Sequence, residues 1–210
     1  GKVTILCLGP ERATEAIRTA LAMGADDAVH LVDPLFEGGD AYATAKALAK
    51  AAEKVEYDLI LCGKQAIDDD LAQVGSILGE FLKIPTVTGI VKLEISSDGK
   101  KATVHRQVEG GLDVIEVPLP AVFTASKGLN EPRYPSLPGI MKAKKKPLQT
   151  LTASDLGLGE DEIGAKGSHI KILSFSLPPM RKEGKIVDGE TPEEKAANLA
   201  KLLREEAKVI

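Results

Sequence analysis

Leu59-Ile60-Leu61-Cys62-Gly63-Lys64-Gln65-Ala66-Ile67-Asp68-Asp69-Asp70-Leu71-Ala72-Gln73-Val74 sets the topology of the chain. Leu59–Cys62 is a continuous apolar run of strand length, closed by Gly63. Lys64–Asp69 is a polar loop, and Ile77, Leu78, Phe81 and Leu82 then recur at helical spacing. A buried strand passing through a glycine-led loop into a helix is half of a βαβ unit. The same rhythm extends outward in both directions. Upstream, Val3–Leu8 is a strand ended by Gly9-Pro10. A helix marked by Ala13, Ala16, Ile17, Ala20 and Leu21 follows and closes at Gly24. Ala28–Val32 is a second strand, and Asp40 is placed to cap a helix faced by Ala41, Ala45, Leu48, Ala52 and Val55. Downstream, Pro85 precedes a strand over Thr86–Leu93. Strands alternating with helices predict an α/β fold: a parallel sheet with right-handed crossovers and helices on both faces.

Beyond residue 93 the period changes. Lys101–Val108 and Leu112–Val117 alternate around Glu109-Gly110-Gly111, which predicts a β-hairpin. Ala121–Thr124 reads as another short strand. Gly128–Pro147 has no periodicity, carries Pro132, Pro135, Pro138 and Pro147, and is expected to be extended. Ile170–Leu177 reads as one more strand, stopped by Pro178-Pro179, and Thr191 caps a last amphipathic helix over Pro192–Ala207.

Composition narrows the function classes. The 210 residues are 43% hydrophobic but only 3% aromatic, with no Trp, so the core is built from Ala, Val, Ile and Leu, as in helices packed closely on a parallel sheet. A net charge of −4 argues against nucleic acid as a ligand, since a phosphate backbone needs a basic surface. No apolar run approaches the roughly 18 residues of a membrane span. Cys7 and Cys62 have no CxxC spacing, so they outline neither a disulfide framework nor a zinc site.

In parallel sheets ligands sit beyond the carboxyl ends of the strands, here at Leu8-Gly9-Pro10 and Cys62-Gly63-Lys64. The loop after Gly63 offers backbone N–H groups and a helix N-terminus to a phosphate, while an Asp or Gln73 takes ribose hydroxyls or base edges. Two other readings stay open: Asp70 simply caps the helix, with its neighbours solvated, or the carboxylates of Asp68, Asp69 and Asp70 hold a divalent cation. Gly9-Pro10 forms either the opposite wall of the same crevice or an ordinary strand-to-helix turn. GxGxxG and GxxxxGK[ST] are absent, His30, His105 and His169 are scattered, and no Ser or Cys stands in a nucleophile motif. That pattern favours a binding or electron-carrying subunit over an enzyme. Pro132–Pro147 joins a proline-fixed backbone to Leu137, Ile140, Met141 and a lysine run. It suits docking to a partner, with the lysines either steering an acidic surface or merely solvated.

Four segments in order carry a family resemblance: TALAMGAD at 19–26, GKQAIDDD at 63–70, VHRQVEGG at 104–111 and LNEPRYPSLPGIMKAKKKP at 129–147. Together they resemble the β subunit of electron-transfer flavoproteins, over essentially the whole chain. The resemblance implies an adenine nucleotide α-hydrolase-like, Rossmann-like domain over 1–125, a recognition arm over 126–150, and a segment over 151–210 that embraces an α subunit. It implies a heterodimer in which the α subunit holds most of a redox FAD and the β subunit a structural AMP. Such a protein is no enzyme; it carries electrons from flavin dehydrogenases, notably the acyl-CoA dehydrogenases of fatty acid oxidation, to a quinone oxidoreductase. The implied compartment is the bacterial cytoplasm or the mitochondrial matrix. Carried over by position, the nucleotide site is Leu8 with Gly63, Lys64, Gln65, Ala66, Ile67, Asp68, Asp69, Asp70, Leu71, Ala72, Gln73 and Val74. The partner surfaces are Arg106 and Gln107 toward the α subunit, and Tyr134, Leu137, Pro138, Ile140 and Met141 toward dehydrogenases, with Leu137 as the apolar anchor.

This chain departs from the family pattern in places. Relatives begin with a further strand and helix before the position of Gly1, and a sheet lacking that strand is expected to be incomplete. Gln107 stands where some relatives place an acidic partner for an α-subunit Arg. Leu71-Ala72-Gln73-Val74 resembles the Ala-Gln-Val of electron-bifurcating relatives, which bind a second FAD in place of AMP. Asp69, however, stands where those carry Gly, which favours AMP. The third reading, a nucleotide-hydrolysing enzyme of the related fold, requires a Ser/Gly-rich phosphate loop where this chain has Leu8-Gly9-Pro10-Glu11.

Overall fold

The computed structural model describes residues 1–180 and 183–210; Arg181 and Lys182, within the stretch 151–210, lie outside the described residues. The elements in chain order are β1 (Thr4–Leu8), α1 (Thr14–Met23), β2 (Asp27–Leu31), α2 (Ala41–Ala52), β3 (Leu59–Gly63), α3 (Val74–Leu82), β4 (Thr86–Ile95), β5 (Lys101–Val108), β6 (Gly111–Pro118), β7 (Ala121–Ala125), α4 (Leu137–Ala143), β8 (Leu148–Leu151), α5 (Gly164–Gly167) and α6 (Pro192–Glu205). Gly1–Lys171 forms one compact unit and Ile172–Ile210 another.

The expected single parallel sheet is two sheets. One is three-stranded in the order β1-β2-β8 and wholly parallel. The other is five-stranded in the order β3-β7-β4-β5-β6. In it β3, β7 and β4 run parallel, and β4-β5-β6 form an antiparallel meander that includes the expected hairpin. Among the described residues, β1 and β3 each keep one edge with no hydrogen-bonded neighbour.

Helix α2 ties the sheets together. Seven of its alanines are buried, at 41, 43, 45, 47, 49, 51 and 52, so it is enclosed on nearly all sides and not on one stripe only. Ala47 and Ala51 pack with Val29, Leu31 and Ile163, whereas Ala45 and Ala49 pack with Leu78 of α3. Methyl side chains allow that close approach; larger ones would push the layers apart.

Three sequence expectations are corrected. The stretch 126–150 is not extended, because Leu137–Ala143 is helical and Leu148–Leu151 pairs in parallel with β2. Ser136 supplies the N-cap that nucleates α4, its Oγ accepting from Gly139 N at 3.2 Å. Ile170–Leu177 forms no strand, since none of its residues joins a ladder among those described. Its Leu173, Phe175 and Leu177 are exposed. Finally, residues 151–163 belong to the first unit, burying Leu151, Ala153, Leu156, Leu158 and Ile163 in its core. Within the second unit Thr191 caps α6 as expected, accepting from Glu194 N at 3.2 Å, and the preceding residues fold back on the helix through Asn198 Nδ2 to Asp188 O at 2.9 Å.

Candidate functional site

The loop from Gly63 to Gln73 leaves the carboxyl end of β3 with its residues exposed and only Ala72 half-buried. Lys64 N still donates to Ala125 O, so the loop begins as a continuation of the ladder. It then makes a turn of its own, with Asp70 N on Ala66 O at 3.2 Å. The aspartates serve that turn. Asp68 accepts from Asp69 N at 3.0 Å, Asp69 accepts from Leu71 N at 3.2 Å, and Asp70 pairs with the Gln65 amide. Among the described residues no three His, Cys, Asp or Glu side chains are grouped to hold a metal ion.

Asp70 does not cap α3. The helix starts four residues later at Val74, and Asp70 itself lies in the left-handed region at φ 56°, as does Ala72 at φ 54°. A left-handed Ala is held at a cost of about 1 kcal/mol, and such strain concentrates at ligand sites. Gln73, which precedes α3, makes no side-chain cap bond, and the first turn carries no acidic residue. Nothing lies within 4 Å of a Cβ built on Gly63, so the backbone there faces open space. The arrangement therefore leaves the N–H groups of Gln65, Ala66, Ile67 and Asp68, and those of Val74, Gly75 and Ser76 at the start of α3, without a protein acceptor among the described residues. These are the donors an anion requires, and the residues present fit an adenylate phosphate.

Leu8 ends β1, in the three-stranded sheet. With Gly9, Pro10, Glu11, Arg12, Asp33, Phe36 and Glu37 it lines a cavity of about 530 Å³ at the carboxyl ends of β1 and β2. No residue of the loop 63–74 lines that cavity. His30, buried on β2, has its Nε2 3.1 Å from Gly9 O and fixes the turn that forms the cavity wall. No signal in the sequence distinguishes His30 from an ordinary core histidine. The thiols of Cys7 and Cys62 are pushed up by burial, which disfavours a reactive thiolate at either strand.

The proposed partner residues fall on two surfaces. Arg106 and Gln107 are neighbours on β5 and so face opposite sides of the sheet. Arg106 pairs with Asp113 at 2.6 Å, while Gln107 sits across from exposed Leu112. Tyr134, Leu137, Pro138, Ile140 and Met141 are all exposed, with Tyr134 92%, Leu137 73% and Met141 66% accessible. An apolar surface of this kind on a short helix, flanked by exposed Lys142, Lys144 and Lys145, suits a partner that presents an apolar pocket with an acidic rim.

Four contributors carry no signal of these roles in the sequence. Arg18 and Lys146 tie α4 to α1. Thr124, fully buried, accepts from Gly89 N at 2.9 Å and holds the bulge in β4. Asp40, read only as a cap, also accepts from His169 N and from Ile170 N at 2.6 and 3.1 Å.

Comparison with known proteins supplies the family. A family model described as the electron transfer flavoprotein domain matches residues 1–156. The chain is 50% identical over 194 residues to the electron transfer flavoprotein subunit beta of Thermoanaerobacterium thermosaccharolyticum, covering 92% of this chain and 74% of that one. It is 42% identical over 204 residues to the subunit of the same name from Bos taurus, covering 96% and 76%. It is also 42% identical over 205 residues to the caffeyl-CoA reductase-Etf complex subunit CarD of Acetobacterium woodii, covering 97% and 78%.

Proposed function

The chain belongs to the electron transfer flavoprotein β-subunit family, and on that premise we propose that it is the carrier subunit of a heterodimer. It binds AMP through the loop 63–74, pairs with a FAD-bearing α subunit, docks flavin dehydrogenases such as acyl-CoA dehydrogenases through α4, and delivers their electrons to a quinone oxidoreductase. The flavin supplies the redox chemistry. This chain's residues bind, orient and dock, and none of them makes or breaks a bond. The compartment this reading fits is the bacterial cytoplasm or the mitochondrial matrix; among the described residues no helix is long and apolar enough to cross a membrane.

The observation that carries the reading is the open turn beyond β3. Its carboxylates are occupied by the turn itself, and its remaining N–H donors have no acceptor among the described residues, next to a helix start without a side-chain cap. The carboxylates thus hold the loop's shape while the amides remain for the phosphate. A second reading, FAD in place of AMP, keeps its place because the similarity extends to a subunit of a caffeyl-CoA reductase complex. Asp69 favours AMP over that alternative. A hydrolase reading has no support at Leu8-Gly9-Pro10-Glu11.

The docking half is tested by Leu137→Ala in the heterodimer. Truncating an anchor of an interface costs about 2 kcal/mol or more, so the KM for transfer from a dehydrogenase is expected to rise about thirty-fold. The flavin absorbance spectrum stays unchanged. Equal transfer kinetics for variant and parent would remove α4 from the docking surface.

A further inference from the structure

The short helix α4 lies on α1 through a reciprocal exchange of cations. Arg18, on α1, donates from one guanidinium nitrogen to Ala143 O at 2.7 Å and to Lys146 O at 2.8 Å. These are carbonyls at and just beyond the C-terminal end of α4. Lys146, just past that end, returns its ammonium to the C-terminal end of α1, donating to Leu21 O at 2.9 Å and to Ala25 O. Each helix therefore has its final carbonyls, the negative end of its dipole, met by a cation bound to the other. Between them the backbones nearly touch: a Cβ on Gly139 would sit 2.6 Å from Ala22 O. Ala143 is buried with Ile17, Leu21 and Ala25.

We propose that Arg18 and Lys146 are positioning residues that lock α4 on α1 in one orientation, so that the face bearing Leu137 and Met141 is set before a partner arrives. The inference rests on the reading of α4 as the docking surface. It divides the lysine run into two kinds. Lys142, Lys144 and Lys145 are exposed and free to act at long range on an acidic partner. Lys146 is half-buried and committed to carbonyls of its own chain. A seven-residue helix is too short to hold its shape in water alone. Its order comes from α1, and an ordered docking face avoids the entropy loss that a floppy one incurs on binding.

The test compares Lys146→Gln and Arg18→Gln with Lys145→Gln in the intact heterodimer. It measures the KM of the heterodimer as electron acceptor of a flavin dehydrogenase over a series of salt concentrations. Lys145→Gln is expected to flatten the salt dependence of KM, because it removes a steering charge. Lys146→Gln and Arg18→Gln are expected to raise KM about ten-fold, the scale of one lost charge-assisted hydrogen bond, with the salt dependence unaltered and kcat kept. Lys146→Arg and Arg18→Lys should recover most of the loss, and amide hydrogen exchange over residues 137–143 should quicken in the Gln variants alone. Should Lys146→Gln fold poorly, Lys146→Met retains the aliphatic stem and reads the same exchange. A lowered melting temperature with unchanged KM and unchanged exchange would overturn the clamp, as would a flattened salt dependence in Lys146→Gln. If Leu137→Ala also leaves KM untouched, the docking reading itself has failed.

Discussion

Gly75→Ala is expected to release the nucleotide from the heterodimer and to lower its melting temperature, and Thr124→Ser in the same chain is expected to restore both. Gly75 is the second residue of α3, packed against the ends of β3 and β7 where Cys62 and Thr124 lie side by side in register. A Cβ there would stand 2.5 Å from Thr124 Cγ2 and 3.6 Å from Cys62 Cβ. Helix propensity alone favours Ala over Gly by about 1 kcal/mol, so without the clash the substitution would stabilise. A contact of 2.5 Å between carbons cannot persist, and overpacking of this kind costs about 1–3 kcal/mol, so the clash wins. The neighbour cannot step aside, since Thr124 is fully buried and its Oγ1 holds Gly89 N. The start of α3 moves instead, taking with it the N–H groups proposed to receive the phosphate. Serine at 124 keeps the hydroxyl and removes the obstructing methyl. Nucleotide content and thermal melting of the single and double variants are the readout; a single variant that melts higher than the parent and retains its nucleotide would refute the packing.

The second large effect is expected at Asp40. Its carboxylate accepts from Ala43 N at the start of α2 and from His169 N and Ile170 N, where the chain approaches the end of the first unit. Ser168 Oγ meanwhile accepts from Asp40 N at 2.8 Å, and the His169 ring stacks on Tyr42 with centroids 4.1 Å apart. Burial opposes the charged form, but the N–H groups of Ala43, His169, Ile170 and Tyr42 outweigh it and hold the carboxyl below its ordinary value. Asp40→Ala loses a cap of about 1 kcal/mol and two further bonds to a charged acceptor, for a total of about 2–4 kcal/mol. Because the carboxyl is depressed in the folded chain, its contribution is complete at neutral pH and disappears as pH falls through the folded value. Asp40→Asn should therefore melt lower than the parent at neutral pH, with the gap closing in acid. A gap of the same size at every pH would show that the charge contributes nothing. Asp40→Ala should also free residues 168–170 to fast amide exchange, and it is expected to weaken association with the α subunit, because the segment that continues from Ile172 would start from a loosened root.

Local signals in the sequence were read accurately where the physics is local. The apolar runs at Val3–Leu8 and Leu59–Cys62, the caps at Asp40 and Thr191 and the hairpin around Gly110 all depend on neighbours within a few residues. What escaped depends on distant partners. The strand Leu148–Leu151 is four residues with two polar ones between leucines, and only its pairing with β2 makes it a strand. Helix α4 is proline-bearing and without periodicity, and it exists because Ser136 caps it and Arg18, 125 residues upstream of Ala143, holds its end. Ile170–Leu177 has the composition of a strand and joins no ladder among the described residues. At the candidate site the loop's start was legible from Gly63, but its end was not: the aspartates suggest a helix start near Asp70, and the helix begins at Val74. The left-handed backbone at Asp70 and Ala72 was not legible either, because residue identity there does not announce it.

In the proposed complex the amides beyond β3 receive the phosphate of an adenylate. Denaturing the purified heterodimer and separating the released nucleotides tests it directly. One AMP and one FAD per heterodimer are expected, with the AMP lost in Gly75→Ala; two FAD and no AMP, or no adenine nucleotide beyond a single FAD, would overturn the assignment.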